Sequence, residues 1–141
     1  MVRQISVFLE NKEGRLYEVT KFLASEGVDL RALSVADTKD FGVLRLIVDK
    51  PDKALNALKT AGYSVRFTEV VAVSLPDRPG ELANILGILH ENKVNIEYMY
   101  TLVSCFENEV VLILRFEAPE AVEKLLRKHG VKVVGEKDIV K

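Results

Sequence analysis

The sequence has one cysteine, two histidines and a net charge of only −1 over 141 residues. Each shortage closes off a class of function. A lone Cys105 cannot form an intrachain disulfide, and one thiol with two well-separated imidazoles does not make a zinc cluster. A near-neutral chain, with 20 basic against 21 acidic residues, creates no long-range field to gather a phosphate backbone. No apolar run approaches the roughly 20 residues that span a bilayer. The opening "MVRQISVFLENKEG" has too short an apolar stretch for a signal-peptide core and no small-residue cleavage site after it. The expectation is a cytoplasmic protein with no metal, cofactor, membrane or nucleic-acid partner.

Catalytic groupings are scarce as well. Nothing places a nucleophile beside a base, pairs carboxylates in a cleft, or supplies the glycine-rich loop of a nucleotide site. His90 in "ILHENK" falls near a helix end, where a cation suits the dipole. The basic run "LLRKHGVK" reads the same way, with Arg127, Lys128 and His129 at a helix C-terminus and Gly130 as its left-handed cap. Cys105 sits in an expected hairpin with no histidine nearby in sequence, and Glu107 and Glu109 read as solvated charges. The expected protein is not an enzyme.

What the chain does have is a repeat. The apolar positions of "ISVFLENKEGRLYEVTKFLASEGVDL" coincide with those of "VAVSLPDRPGELANILGILHENKVNI". Gly14 matches Gly80 and Asp29 matches Asn95, 66 residues apart; Pro51 matches Pro119 and Gly62 matches Gly130, 68 apart. The two extra residues fall in a hairpin near "SCFENE". Each copy opens with period-two alternation (Ile5, Val7, Leu9; Val71, Val73, Leu75), the mark of a half-buried strand. A helix with a core-facing stripe follows, Leu16, Val19, Phe22 and Leu23 in one copy, Leu82, Ile85, Leu86 and Leu89 in the other. Two strands come next, near residues 31–36 with 43–48 and 97–103 with 110–116. A second helix opens at Pro51 or Pro119 and stops at Gly62 or Gly130. A last strand closes each copy, near residues 64–70 and 131–134.

The order strand, helix, strand, strand, helix, strand is the ferredoxin-like split unit, an α+β fold with two helices on one face of a four-stranded antiparallel sheet. Two such domains are expected, residues 1–69 and 70–141. No Pro-, Gly- or Ser-rich linker separates them, so a stiff junction is expected. "VLRLIV" and "VVLILRF" are nearly continuous apolar runs, where a sheet with one wet face shows alternation. Side chains on the far faces are therefore also expected to be apolar and to be covered, by the other copy or by a second chain in a homodimer.

Fold does not assign function. The RNA-recognition domain shares this element order, and "VFLEN" and "DFGVLRL" are faintly similar to its two motifs. The third strands, however, lack the spaced aromatics on which bases stack, and the chain is not basic. The informative segments are the loops before each first helix, "LENKEGRL" and "LPDRPGEL". Gly14 and Gly80 let a ligand or backbone approach closely, and helix N-terminal amides beyond them can bind a carboxylate. Asp29 and Asn95 precede the second strands and are expected at the same end of each domain as the loop. Read on its own, Asp77 is also a plain Asx-turn or cap residue and Asn95 a turn residue.

"DRPGEL" followed by "KVNIEYMY", and "NKEGRL" followed by "GVDLRALSVAD", strongly resemble the ACT domain, an amino-acid-binding regulatory module. The resemblance spans the chain as two tandem domains. It implies an allosteric amino-acid sensor with its ligand at domain interfaces, held at the strand-to-helix loops. The implied site residues are Asn11, Gly14, Arg15, Leu16, Asp29 and Leu30 in the first copy. In the second they are Asp77, Arg78, Pro79, Gly80, Glu81, Leu82, Asn95 and Ile96. Asn11 with Asp29, and Asp77 with Asn95, each give one amide and one carboxylate to orient an amino acid. Glu13 stands where the second copy has the stiffer Pro79, which favours the second loop. The other reading is a ligand-independent adaptor or regulatory subunit of a metabolic enzyme.

Overall fold

The computed structural model describes residues 1–37, 41–102 and 107–140. Its elements are β1 (Val2–Glu10), α1 (Arg15–Ser25), β2 (Leu30–Asp37), β3 (Phe41–Val48), α2 (Pro51–Thr60) and β4 (Ser64–Pro76). They continue with α3 (Glu81–Glu91), β5 (Tyr98–Thr101), β6 (Glu109–Arg115), α4 (Pro119–Lys128), β7 (Lys132–Val134) and α5 (Glu136–Val140). The strand expected to reach Val103, and the hairpin around Ser104 and Cys105, fall partly outside the described residues. The five-residue α5 has no counterpart in the expected pattern.

Arg3–Thr68 forms one compact unit, and Glu69–Ile139 with Met1–Val2 forms the other. In the first, the strands lie in the order β2, β3, β1, β4; in the second, β5, β6, β4, β7. The thirteen-residue β4 supplies residues to both, so the last strand of one copy and the first strand of the next are one element. β3 pairs antiparallel with β1 and β2, and β6 with β4 and β5, as β7 does with β4; Ile5 stands opposite Leu46, and Leu33 opposite Leu46, in the first unit. Val73 stands opposite both Leu112 and Val133 in the second.

Alternation delivers one side of each sheet to the helices. Ile5, Val7, Leu44, Leu46 and Val48 pack with Val19, Leu23, Ala54 and Leu58. Val71, Val73, Leu112 and Leu114 pack with Ile85, Leu89, Val122 and Leu126. Leu16 and Leu82 depart from the expected stripe: both are exposed at the first turn of their helices. The far faces also differ from expectation. In the first unit that face is mixed, with Gln4 donating to Ser6 (3.1 Å) and Ser6 bonded to Thr68 (3.0 Å) between Phe8, Arg45 and Ile47. Even so, Gln4 and Ile47 are buried, as is Ile113 on the far face of the second unit. Phe8, on the far face of β1, is 40% exposed, and further exposed apolar side chains stand at the sheet edge. Leu33 and Val35 on edge strand β2 are 47% and 45% exposed, although their register with Leu46 and Leu44 puts them on the helix side.

Glu109, expected to be a solvated charge, is tied into the sheet. Ser74 donates to its carboxylate (2.9 Å) and the Lys132 ammonium lies 3.2 Å away. The Ser74 hydroxyl, followed by Lys132, holds the Glu109 carboxyl below its ordinary range. A depressed carboxylate stabilises the fold above its unfolded pKa and loses that contribution as pH falls through the folded value. Glu109→Gln should therefore be less stable than the parent at neutral pH, and the two urea midpoints should converge as the pH falls through the depressed folded value. A gap that persists at low pH would assign it to packing rather than charge.

The glycines at the loop ends have a conformational role. Gly14 and Gly80 cap α1 and α3 with φ of 84° and 89°, and a Cβ on either would meet nothing within 4 Å. Within the chain, what demands glycine there is the left-handed backbone, not close approach. Gly87, inside α3, has equal room and no positive φ. Urea titration should find Gly80→Ala less stable by roughly 1–2 kcal/mol and Gly87→Ala more stable by about 0.5–1 kcal/mol.

Candidate functional site

Each loop is a tight reversal between a strand and a helix. In the first, Lys12 N–H donates to Glu10 O (2.9 Å) and Arg15 N–H to Lys12 O (3.3 Å). In the second, Arg78 N–H donates to Pro76 O (2.9 Å) and Glu81 N–H to Arg78 O (3.4 Å). The first helical amide of each is thus engaged, contrary to the sequence expectation. The donors that helix geometry leaves for a ligand are those of the next positions, Leu16 and Tyr17 or Leu82 and Ala83.

A cavity of about 160 Å³ opens beside the first loop. Asn11, Lys12 and Arg15 stand on its polar side, and Leu16, Val35 and Leu44 on its apolar side. Three of the expected site residues, Asn11, Arg15 and Leu16, are brought together here. Val35, Gly42 and Leu44 were not expected, because they reach the loop only through the order β2, β3, β1. The position of Leu16 off the core is explained by this wall. Lys12 pairs with Glu10 (2.8 Å) and Arg15 with Glu18 (3.1 Å). The Lys12 hydrogen bond, aided by the charges of Lys12 and Arg15, holds the Glu10 carboxyl below its usual range. The mouth of the cavity therefore carries fixed charges of both signs near neutral pH.

In the second loop Asp77, Arg78, Pro79 and Gly80 are all exposed. Asp77 is anchored through its backbone, its N–H donating to Asn108 O (3.1 Å). Arg78 pairs with Glu81 (2.9 Å), so the cation sits in the loop here, whereas Arg15 places it on the helix in the first copy. Leu82 repeats the exposure of Leu16.

Asp29 and Asn95 do not share an end with the loops of their own units, which corrects the sequence expectation. Asn11 follows Glu10, which pairs with Phe41, whereas Asp29 precedes Leu30, which pairs with Val48. At about 3.4 Å per residue along β3, those levels are roughly 24 Å apart. In the second unit Pro76 pairs with Glu109 and Tyr98 with Arg115, again a full strand apart. The missed signal was topological: a helix between two parallel strands carries the chain back along the whole sheet. Asp29 is instead engaged at its own end, pairing with Arg31 (3.2 Å). Leu30 and Ile96 pack against the two cores.

Among the described residues no group of three or more His, Cys, Asp or Glu could hold a metal ion. No described helix is long and apolar enough to cross a membrane.

Comparison with known proteins bears on the same two copies. A protein from Bacteroides thetaiotaomicron has a crystal structure 42% identical in sequence, with a TM-score of 0.91, covering 99% of this chain and 96% of that one. The ligand-free regulatory subunit of aspartate kinase from Thermus thermophilus is 19% identical, with a TM-score of 0.63, covering 89% and 90%. The corresponding subunit from Thermus flavus is 17% identical, with a TM-score of 0.57, covering 91% and 93%. At these identities the two kinase subunits show a shared fold. No curated protein matches the chain. The family model of the ACT domain pair matches residues 1–141, and the chain belongs to that family.

Proposed function

We propose that the protein is a non-catalytic allosteric regulator that binds a free amino acid at its strand-to-helix loops and acts on a metabolic enzyme. The observation that carries this reading is the 160 Å³ cavity, where the Asn11 amide, the Arg15 guanidinium and the start of α1 face an apolar wall of Leu16, Val35 and Leu44. A carboxylate suits the helix N-terminus and Arg15, and a short side chain suits the wall. The second loop offers Asp77 for an ammonium on a backbone that Pro79 holds ready. A ligand held by such a loop and by Asp29 or Asn95 together would take the latter from a second copy of the chain, because one strand length separates them within a unit. The exposed edge residues Leu33 and Val35 suit such a homodimer. Family membership and the kinase regulatory subunits of like fold support the regulatory role.

The same exposed edge favours the adaptor as a second reading, since apolar side chains left in water mark contact surfaces. Regulation by a ligand requires unequal binding to two states, which an adaptor does not need.

A thermal-shift screen of the twenty standard amino acids separates the two. A ligand at about 100 times its dissociation constant should stabilise the native state by roughly 2.7 kcal/mol. Asn11→Ala should remove the shift if the first loop binds, and Asp77→Ala if the second does, with the unliganded melting temperature retained. No shift from any amino acid would leave the adaptor.

A further inference from the structure

Two exposed phenylalanines share the far face of the first unit. Phe8 stands opposite Val43 and Glu10 opposite Phe41, in alternation with the residues that β1 and β3 give to the helices. Phe41 is 62% exposed and lies diagonally across the ladder from Phe8. Diagonal neighbours are roughly 7–8 Å apart, a span that aromatic side chains bridge. The Arg66 guanidinium lies over the Phe8 ring, 5.4 Å from its centroid, and has no carboxylate partner among the described residues. Beside this group is a cavity of about 410 Å³, lined by Phe8, Glu10, Arg15, Tyr63 and Ser64.

The second unit is built otherwise at the same places. At the 66- and 68-residue offsets Phe8 becomes Ser74, Phe41 becomes Glu109, Ser64 becomes Lys132 and Arg66 becomes Val134. Ser74, Glu109 and Lys132 bond to one another there. A sheet of the same topology therefore closes without rings or a guanidinium at these positions, and the fold does not require them in the first copy. Phe8 and Phe41 belong to "VFLEN" and "DFGVLRL", the segments with a faint likeness to the RNA-recognition motifs. Each central strand offers one exposed ring, and Val43 stands where β3 would carry a second. A near-neutral chain also lacks the field that gathers a polynucleotide. The group is sized for one base and not for a strand of them.

We propose that this corner of the first unit is a binding site for a purine mononucleotide. The base stacks on Phe8 and Phe41, since any base presents a π-face to an aromatic ring. The guanidinium groups of Arg66 and Arg15 receive the phosphate. The Glu10 carboxylate and the Ser64 hydroxyl receive the ribose hydroxyls. Rings for a base and cations for an anion, side by side, match a nucleotide better than a free base or a simple anion. The volume lies within the usual range for small-molecule pockets. Arg15 also lines the smaller cavity at the first loop, but Phe8, Phe41 and Arg66 do not. The site therefore stands whether or not the loops bind an amino acid.

The test is an amide-resolved NMR titration of the full chain with AMP, and separately with adenosine and with inorganic phosphate. AMP should give saturable shifts at Phe8, Glu10, Phe41, Ser64 and Arg66. Adenosine should give the same pattern at lower affinity, and phosphate alone should not give it. Phe8→Leu keeps an apolar side chain on the sheet and removes the ring, so the spectrum should remain that of the fold while AMP affinity falls about fivefold or more. Arg66→Gln should bring AMP towards the affinity of adenosine. Asn11→Ala, which tests the amino-acid loop, should leave AMP binding intact. No saturable shift at residues 8–10, 41 or 64–66 with AMP, or undiminished binding in both the Phe8 and Arg66 variants, would overturn the proposal. The same pattern from phosphate alone would overturn it too, as would a short single-stranded RNA that binds where AMP does not. Shifts at these residues that follow protein concentration and ignore AMP would also overturn it and make the face a contact between copies of the chain.

Discussion

The separation of the two ends of each unit follows from one constraint on connectivity. β1 and β2 run parallel with β3 between them, and parallel strands cannot be joined by a hairpin. The helix must carry the chain back along the whole sheet before β2 begins. Each unit therefore has a loop end, where a strand meets the N-terminus of a helix, and a return end, where a helix C-terminus meets the next strand. The N-terminal amides and Arg15 collect at the first. The left-handed turns at Gly27 and Lys93, with Asp29 and Asn95 just beyond, collect at the second. No side chain crosses a sheet of that length, so chemistry at the two ends is independent unless another molecule brings them together.

The same connectivity decides which apolar residues stay in water. α1 and α2 lie over β1 and β3, and the edge strand β2 projects past them. Leu33 and Val35 point to the helix side and are still about half exposed. Leu16, at the open start of α1, adds to this edge beside the cavity that it lines. Polar residues appear where an all-apolar face was expected, and Gln4, Ser6 and Thr68 satisfy one another there by hydrogen bonds. A buried amide so partnered avoids the cost of an orphaned polar group.

The fold was readable from the sequence because both of its periods were written twice. Val7 and Leu9 against Val73 and Leu75 give the strand, Val19 and Leu23 against Ile85 and Leu89 give the helix, and the 66-residue offset aligns them. Pro51, Pro119, Gly62 and Gly130 mark helix ends for reasons local to the backbone. The site was only partly readable, since its members depend on what lies next to what. Asn11, Arg15 and Leu16 are neighbours in the chain and were found together. Val35 and Leu44 come from strands whose place beside β1 appears only when the sheet is assembled. Asp29 was assigned to the wrong end because spacing along a chain carries no direction. Glu109 looked like a loop charge because its partners Ser74 and Lys132 lie 35 and 23 residues away.

The clamp formed by Lys50 and Asp49 in one unit, where the other has Ala118 and Glu117, shows what a fused duplication permits. In a symmetric assembly of identical domains every substitution is made at all equivalent positions at once, so a gap opened in one is opened in all. Here each half is encoded separately. One return end carries an internal cross-link, with Lys50 Nζ donating to Gly27 O (2.8 Å) and Asp29 N–H to Asp49 Oδ1 (2.9 Å), where the other has Ala118 and Glu117, and neither arrangement is imposed on its twin. Pseudo-symmetry of this kind gives one chain two non-equivalent ends on which selection can act separately.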